Sequence, residues 1–414
     1  MFSRDGDGRR IGIPATHSPG SPAQEGLRMA PDPLRAARLS RRTVLAGTAG
    51  ALGALTLPGV ATAAPVDWSR AVVDSTMKRH TPATLGGWGY TRGLYLYGQY
   101  LVYRRTGEKS YLDYILAWYD RFVTDSGISN GFTNLDAMRS GQMFPLLYNE
   151  TGQAKYKTAA EQLRGRFPSY PRTSDGGMFH ATSRVGQLWA DGVYMAQPFL
   201  ALYGKTFGDA GYCYEEAAKN VSIYFDHLKE PAKGLLYHAY DEDGSEPWAS
   251  GAGRHSKYHW GRAIGWLGMT AIDLLEILPR DHPRRRRLVD VVEFLAAGYR
   301  RWQDRASGRW FQVVDRGGDK DNWLETSASA MYTFLLSRAV QRGYVGPEYG
   351  PVAAKGYRGV LSQVSTGSDG LTDIANISEG TNVGDTAYYY ARKRNTNDFH
   401  GLGAFLIMNE QLAR

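Results

Sequence analysis

The sequence predicts an all-α protein built as an (α/α)6 barrel of six helical hairpins. Three observations lead there. Past residue 67 the hydrophobic periodicity is helical almost throughout, with apolar residues three and four apart in about twelve segments. Helices apolar nearly all round (190–207, 260–278, 323–337) alternate with helices that carry a charged face. A Gly-plus-aromatic segment also recurs in front of inner helices. Alternation of this kind is what a double ring requires, because inner helices pack on both sides and outer ones on one; an open helical solenoid is the alternative. The chain of 414 residues exceeds the usual single core, so it implies two domains or one large barrel-like domain, and 43% hydrophobic residues supply the core.

Residues 1–67 stand apart. The stretch "LSRRTVLAGTAGALGALTLPGVATAAP" places Arg41 and Arg42 before a small apolar run ending in Ala61-Thr62-Ala63, the pattern of a cleaved twin-arginine export signal. The apolar run from Thr43 to Leu57 is too short and Gly-rich for a membrane span, so no stable membrane association is expected after cleavage. Met29 is an alternative start, and residues 68–414 are read as one catalytic barrel that is secreted or extracytoplasmic. Much of the formal charge of +8 sits in the leader, and the remainder gives no basis for nucleic-acid binding. Cys213 is the single cysteine, which excludes an intramolecular disulfide framework and cysteine metal clusters. With no HExxH spacing either, neither metal nor cofactor is expected.

The helices are expected to open near residues 68, 89, 109, 135, 153, 190, 211, 260, 284, 323, 347 and 398, most of them separated by Gly, Pro or polar clusters. "RGLYLYGQYLVYRRTG" and "SYLDYILAWYDRFV" carry the second and third, and "AIGWLGMTAIDLLEILP" the eighth. "GYCYEEAAKNVSIYFDHLKE" and "RRRRLVDVVEFLAAGYRRW" are amphipathic and read as outer helices, with Arg284 to Arg287 on a solvated face. In the sixth, Pro198 frees the carbonyl of Tyr194 and is expected to kink the helix.

The recurring segments are "GGMFHATS", "GLLYHAYDED" and "GRWFQVVDRG". Each is followed by an aromatic-polar helix start: "LWADG", "HWGRAIGW" and "NWLETSAS", with "NDFHGLGAF" opening a fourth helix. Asp191, Arg262 and Glu325 therefore project from one end of the barrel and line one cavity. Asp191 has a plainer reading as a helix cap. Against that, the same mouth collects His180, His238, Trp260, Arg262, Trp266 and a second carboxylate, Asp136 in "TNLDAM". If Asp136 and Asp191 face each other, one can stay protonated near neutral pH and donate a proton, as sugar-cleaving sites require. Arg262 carries a planar fork suited to a bidentate anion, with an ion pair to Asp273 as its structural alternative. Trp260 and Trp266 suit sugar faces, although aromatics at helical spacing are more often core. Glu325 is read as a cap and His400 as a further mouth residue. The stretch "DGSEPWASGAGRHSKYHWGR" is long for a helix connection and is read as a mobile rim or lid.

"WADGVYMAQPFLALYG", "GLLYHAYDED", "HWGRAIGWLGMTAIDLLEILP", "GRWFQVVDRGGDKDNWLETSASAMYTF" and "NDFHGLGAF", in that order, resemble the unsaturated rhamnogalacturonyl and glucuronyl hydrolases, glycoside hydrolase families 105 and 88, the former more closely. The resemblance spans nearly all of residues 68–413. It implies removal of a 4,5-unsaturated uronic acid from the non-reducing end of lyase-generated oligosaccharides, rhamnogalacturonan and pectin fragments foremost, by hydration of a vinyl ether. It further implies Asp191 as general acid and base, Asp136 as the second carboxylate, and Tyr90, His180, His238, Arg262 and Trp266 as substrate contacts, with Arg262 on the substrate carboxylate. From the residues themselves, a conventional (α/α)6 glycosidase or sugar epimerase, and a non-catalytic carbohydrate-binding barrel, stay open. So do the sugar that follows the uronate and the oligomeric state.

Overall fold

The computed structural model describes residues 66–412. The twin-arginine stretch and its cleavage site lie outside the described residues. Ala64–Arg414 forms one compact unit. Its helices are α1 (Trp68–Arg79), α2 (Tyr90–Thr106), α3 (Lys109–Tyr119), α4 (Leu135–Met138), α5 (Met143–Thr151), α6 (Ala154–Arg166), α7 (Ala190–Phe207), α8 (Ala210–Leu228), α9 (Gly261–Ile277), α10 (Arg285–Trp302), α11 (Thr326–Arg342), α12 (Gly350–Leu361), α13 (Thr386–Tyr390) and α14 (Phe399–Leu412). Each of the expected helix starts falls within one turn of an observed one.

Six helical units form a closed inner ring in which α2 packs on the α4–α5 unit, that on α7, then α9, α11 and α14, which returns to α2. The outer helices are α1, α3, α6, α8, α10 and α12. Inner α7, α9 and α11 are buried over most of their length, whereas α8 and α10 bury one face. Periodicity alone foretold this division, because a helix between two layers has no side on which charge can be hydrated. Three of the four arginines in the run behave as expected of a solvated face: Arg284 pairs with Glu215, Arg286 with Asp290 and Glu293, and Arg287 with Asp226. Arg285 instead turns inward and donates to the carbonyls of Leu275 at 2.9 Å and Leu278 at 3.0 Å.

Ring closure depends on close approach of α2 and α14. A Cβ on Gly403 would lie 2.5 Å from Leu94 Cγ, and one on Gly98 would lie 2.8 Å from Leu406 Cβ. Only glycine permits this spacing, and through it the first and last inner helices meet.

Two features depart from a plain all-α reading. The helix expected from residue 135 comes in pieces, α4 and α5 joined by a 3₁₀ turn, Arg139–Gln142. Pro145 supplies the cause: it has no N–H for the Gly141 carbonyl and its ring crowds that position. Six short two-stranded antiparallel ribbons also occur among the described residues. Gln187–Trp189 pairs with Ala239–Asp241, Trp310–Phe311 with Leu324–Glu325, and Ile377–Ser378 with Arg394–Asn395. Two of the recurrent Gly-plus-aromatic segments, "GLLYHAYDED" and "GRWFQVVDRG", supply strands to these ribbons, whereas "GGMFHATS" makes only single bridges, from Met178 to Arg172 and from Ala181 to Asn134. Two of the ribbons lead straight into α7 and α11. Pro198 lies inside α7, which continues through it. No helix among the described residues is long and apolar enough to cross a membrane.

Asp273, on α9, has a buried Oδ2 without a hydrogen-bond partner. Burial pushes its carboxyl up to about 7, and the charges of Arg139 and Arg338 only partly oppose this. The folded state therefore holds this proton more tightly than the unfolded chain, so stability falls as pH rises from about 4 to about 7. Asp273→Asn is expected to raise stability at pH 8 by about 1–3 kcal/mol and to leave it little changed at pH 4. Thermal unfolding at the two pH values measures the difference.

Candidate active site

The first turns of α2, α4 and α7 carry Tyr90, Asp136 and Asp191 to a cavity of about 480 Å³. Its walls also include Asn134, His180, Arg184 and Trp189, and the segment Gly380 to Asn382 with Tyr388 and Arg392.

Asp191 is placed by the ribbon before α7. The Ala190 N–H donates to the His238 carbonyl at 2.9 Å, and Trp189 pairs with Ala239, which brings His238 beside the helix start. The helix has no side-chain cap, so the capping alternative for Asp191 is not realised. Instead His238 Nε2 lies 3.2 Å from Asp191 Oδ2 as an ion-pair contact. The Tyr389 hydroxyl, which accepts from the Gly384 N–H, has its hydrogen free for His238 Nδ1 at 2.8 Å, leaving Nε2–H toward Asp191. Burial raises the pKa of Asp191. The close contact with His238 outweighs it, helped by His180 and the Arg262 charge, and the carboxyl sits below its ordinary value.

Asp136 is placed by the start of α4. Asn134 caps that helix by accepting from the Ala137 N–H at 2.7 Å, while the Leu135 N–H donates to the His180 carbonyl at 3.0 Å. His180 stacks on Trp189, with ring centroids 4.5 Å apart, and its Nε2 is 4.0 Å from Asp136 Oδ2. Gly192 allows α7 to approach, since a Cβ there would lie 2.8 Å from Leu135 Cδ1. Burial and the charge of Asp191 push Asp136 above its ordinary value, against the opposing pull of His180 and Arg184. The two carboxylates are thus displaced in opposite directions, Asp136 toward its protonated form and Asp191 toward its ionised form.

Tyr90 closes the other side. Its hydroxyl is 2.6 Å from His400 Nε2, and His400 Nδ1 is 2.6 Å from Asp398 Oδ1. Burial and the Arg262 charge hold His400 below the usual histidine range, although Asp398 pulls the other way. Burial raises Tyr90, and the Asp136 and Asp191 charges add to this against that of Arg262.

Four expectations change. Arg262, expected on a substrate carboxylate, does not line the cavity: it donates to the carbonyls of Ser378 at 2.6 Å and Glu379 at 2.7 Å. Nor does it pair with Asp273; the ribbon Ile377–Ser378 presents backbone acceptors that its planar fork satisfies first. Trp266, expected on a sugar face, is a core residue stacked on Tyr194 at 5.0 Å. Trp260 is equally buried, against His238, Tyr389 and the Arg262 guanidinium. His238, expected on sugar hydroxyls, is fully buried and serves Asp191. Glu325 is the cap expected of it, accepting from the N–H groups of Ser327 and Ala328, and it also accepts from the Ser378 N–H.

Sequence reasoning passed over Trp189, Arg184 and Asp398. "LWADG" and "NDFHGLGAF" contained the first and last, but a lone arginine in a loop carries no signal. Among the described residues no cluster of histidine, cysteine and carboxylates is arranged to hold a metal ion.

The family described as Glycosyl Hydrolase Family 88 matches residues 68–414. The unsaturated rhamnogalacturonyl hydrolase YesR of Bacillus subtilis is 27% identical over 332 residues, covering 77% of this chain and 87% of that protein. A solved family 105 glycoside hydrolase from C. acetobutylicum is 33% identical with a TM-score of 0.80, covering 84% of this chain and 99% of the other. The unsaturated glucuronyl hydrolase of Bacillus sp. GL1 shares the fold, with a TM-score of 0.63 at 14% identity over 82% of this chain and 94% of the other. With barrel, paired carboxylates and a match across the whole described region in agreement, this chain belongs to glycosyl hydrolase family 88.

Proposed function

We propose that this glycoside hydrolase removes a 4,5-unsaturated uronic acid from the non-reducing end of lyase-generated oligosaccharides, with rhamnogalacturonan fragments as the favoured class. The observation that carries the reading is the meeting of two carboxylates in one cavity, Asp191 with His238 Nε2 at 3.2 Å and Asp136 with His180 Nε2 at 4.0 Å, their acidities displaced in opposite directions. A vinyl ether conjugated to a carboxylate is protonated at C4, which leaves positive charge at C5 shared with the ring oxygen. Water adds at C5, and the resulting hemiketal opens and expels the aglycone. One proton shared by the pair serves this sequence. Burial favours Asp136 as its holder in the empty site, and the charge of an arriving uronate raises Asp191 so that Asp191 can deliver it. Asp191, then an anion beside His238, takes a proton from the adding water.

An anionic sugar entering beside two carboxylates needs a cation. Arg262 is committed to backbone carbonyls, and Arg392 to Glu379 and the Gly380 carbonyl. Arg184 remains, stacked over Trp189 with its guanidinium carbon 4.2 Å from the ring centroid, and its charge acts on both Asp136 and His180. Arg184 is the residue we assign to the uronate carboxylate, in place of Arg262. The leader motif further supports export by the twin-arginine route.

Loss of ultraviolet absorbance from the C4=C5 chromophore tests the reading. Purified protein should bleach an unsaturated rhamnogalacturonan disaccharide, and Arg184→Gln should lower kcat/KM about 10- to 100-fold, mostly through KM. A folded wild-type protein that bleaches neither this nor an unsaturated glycosaminoglycan disaccharide would return the assignment to a conventional glycosidase.

A further inference from the structure

The Asp398–His400–Tyr90 chain fixes the hydrogen-bond polarity of a cavity wall. Asp398 Oδ1 accepts from the His400 backbone N–H at 3.0 Å and Oδ2 accepts from Asn395 Nδ2 at 3.0 Å, so the carboxylate is held as an acceptor on both oxygens. His400 Nδ1, 2.6 Å from Oδ1, must therefore carry the hydrogen. In the neutral ring Nε2 then presents a lone pair. That lone pair faces the Tyr90 hydroxyl at 2.6 Å and takes its single hydrogen. What Tyr90 shows to the cavity is oxygen lone pairs alone: it accepts there and cannot donate.

On the reading of the reaction given above, one reactant calls for such a group. The water that adds at C5 attacks through a lone pair, so it must be held by its hydrogens. A donor on the wall would take one of the two lone pairs and draw electron density from the attacking oxygen, whereas an acceptor leaves both free and adds to that density. Tyr90 shares the cavity with Asp136 and Asp191, where that water must stand.

We propose that Asp398 and His400 are positioning residues that lock Tyr90 as a hydrogen-bond acceptor for the attacking water. The water gives one hydrogen bond to Tyr90 Oη and transfers its other proton to Asp191 as its oxygen bonds C5; Tyr90 keeps its own proton throughout. The arrangement depends on ring closure, since Tyr90 opens α2 and His400 lies in the first turn of α14.

The test is a double-mutant cycle on the unsaturated disaccharide with Tyr90→Phe, Asp398→Asn and the pair together. Asparagine keeps the start of α14 capped, but it is uncharged and offers His400 Nδ1 either an oxygen or an N–H, so it no longer imposes the tautomer. Each single variant should lower kcat about tenfold with KM within about twofold, and the double variant should be no slower than Tyr90→Phe alone. Additive losses would overturn the proposal, because they would make the role of Asp398 independent of Tyr90. An unchanged kcat in either single variant would overturn it too. A raised KM with kcat intact would reassign Tyr90 to a sugar hydroxyl. If Asp398→Asn lowers the thermal unfolding midpoint, His400→Gln in the same cycle carries the test. Failure of the wild type to bleach the substrate is the separate result that would remove the reading beneath it.

Discussion

Asp191→Asn lowers kcat by about 10³–10⁴-fold, the range expected when one group that both gives and takes the proton is removed. The amide is nearly isosteric and keeps an oxygen for His238 Nε2, 3.2 Å away in the wild type, so the barrel remains intact. Bleaching of the unsaturated disaccharide under saturating substrate measures the loss, and near-ultraviolet circular dichroism checks the fold. A variant that keeps more than about a tenth of wild-type turnover would place the proton transfer elsewhere. A non-catalytic carbohydrate-binding barrel makes the contrary prediction, since binding would survive the substitution untouched.

Asp136→Asn lowers kcat by about 10²–10³-fold and also changes the shape of the pH profile. The Asp136 carboxyl is raised above 3.8 and Asp191 lowered below it, so the proton shared by the pair is bound below the pKa of Asp136 and lost above it. Wild-type kcat/KM should fall as pH rises through that value. The asparagine variant keeps only the proton that Asp191 itself can bind, so its descending limb should move to lower pH. Rates between pH 4 and 9 with one disaccharide decide the matter. A limb that persists unchanged in the variant would assign the titration to another group.

Helix positions were legible because each depends on neighbours in the chain. The all-round apolar runs of α7, α9 and α11 and the charged faces of α8 and α10 are local patterns, and the structure bears out their inner and outer places. The ribbons were not legible as strands: two or three residues are too few to show a period of two. The two carboxylates could be nominated from their places at the starts of inner helices. Arg262 was read as a ligand because a buried-looking arginine beside aromatics suits an anion equally well, and the acceptors that claim it lie 116 and 117 residues further along. Trp266 met the same difficulty, since helical spacing does not say which side of a helix faces a cavity.

By itself the sequence determined the number and order of the hairpins, the recurrent mouth segment and the motifs that mark the family, all of which follow from residues close together in the chain. Tertiary structure decided the rest. It joined Tyr90 to His400 across 310 residues, turned Arg184 rather than Arg262 toward the cavity, and set the sign of each carboxylate's displacement. Desolvation and charge act through space, and the partners that supply them are brought together only when the ring closes.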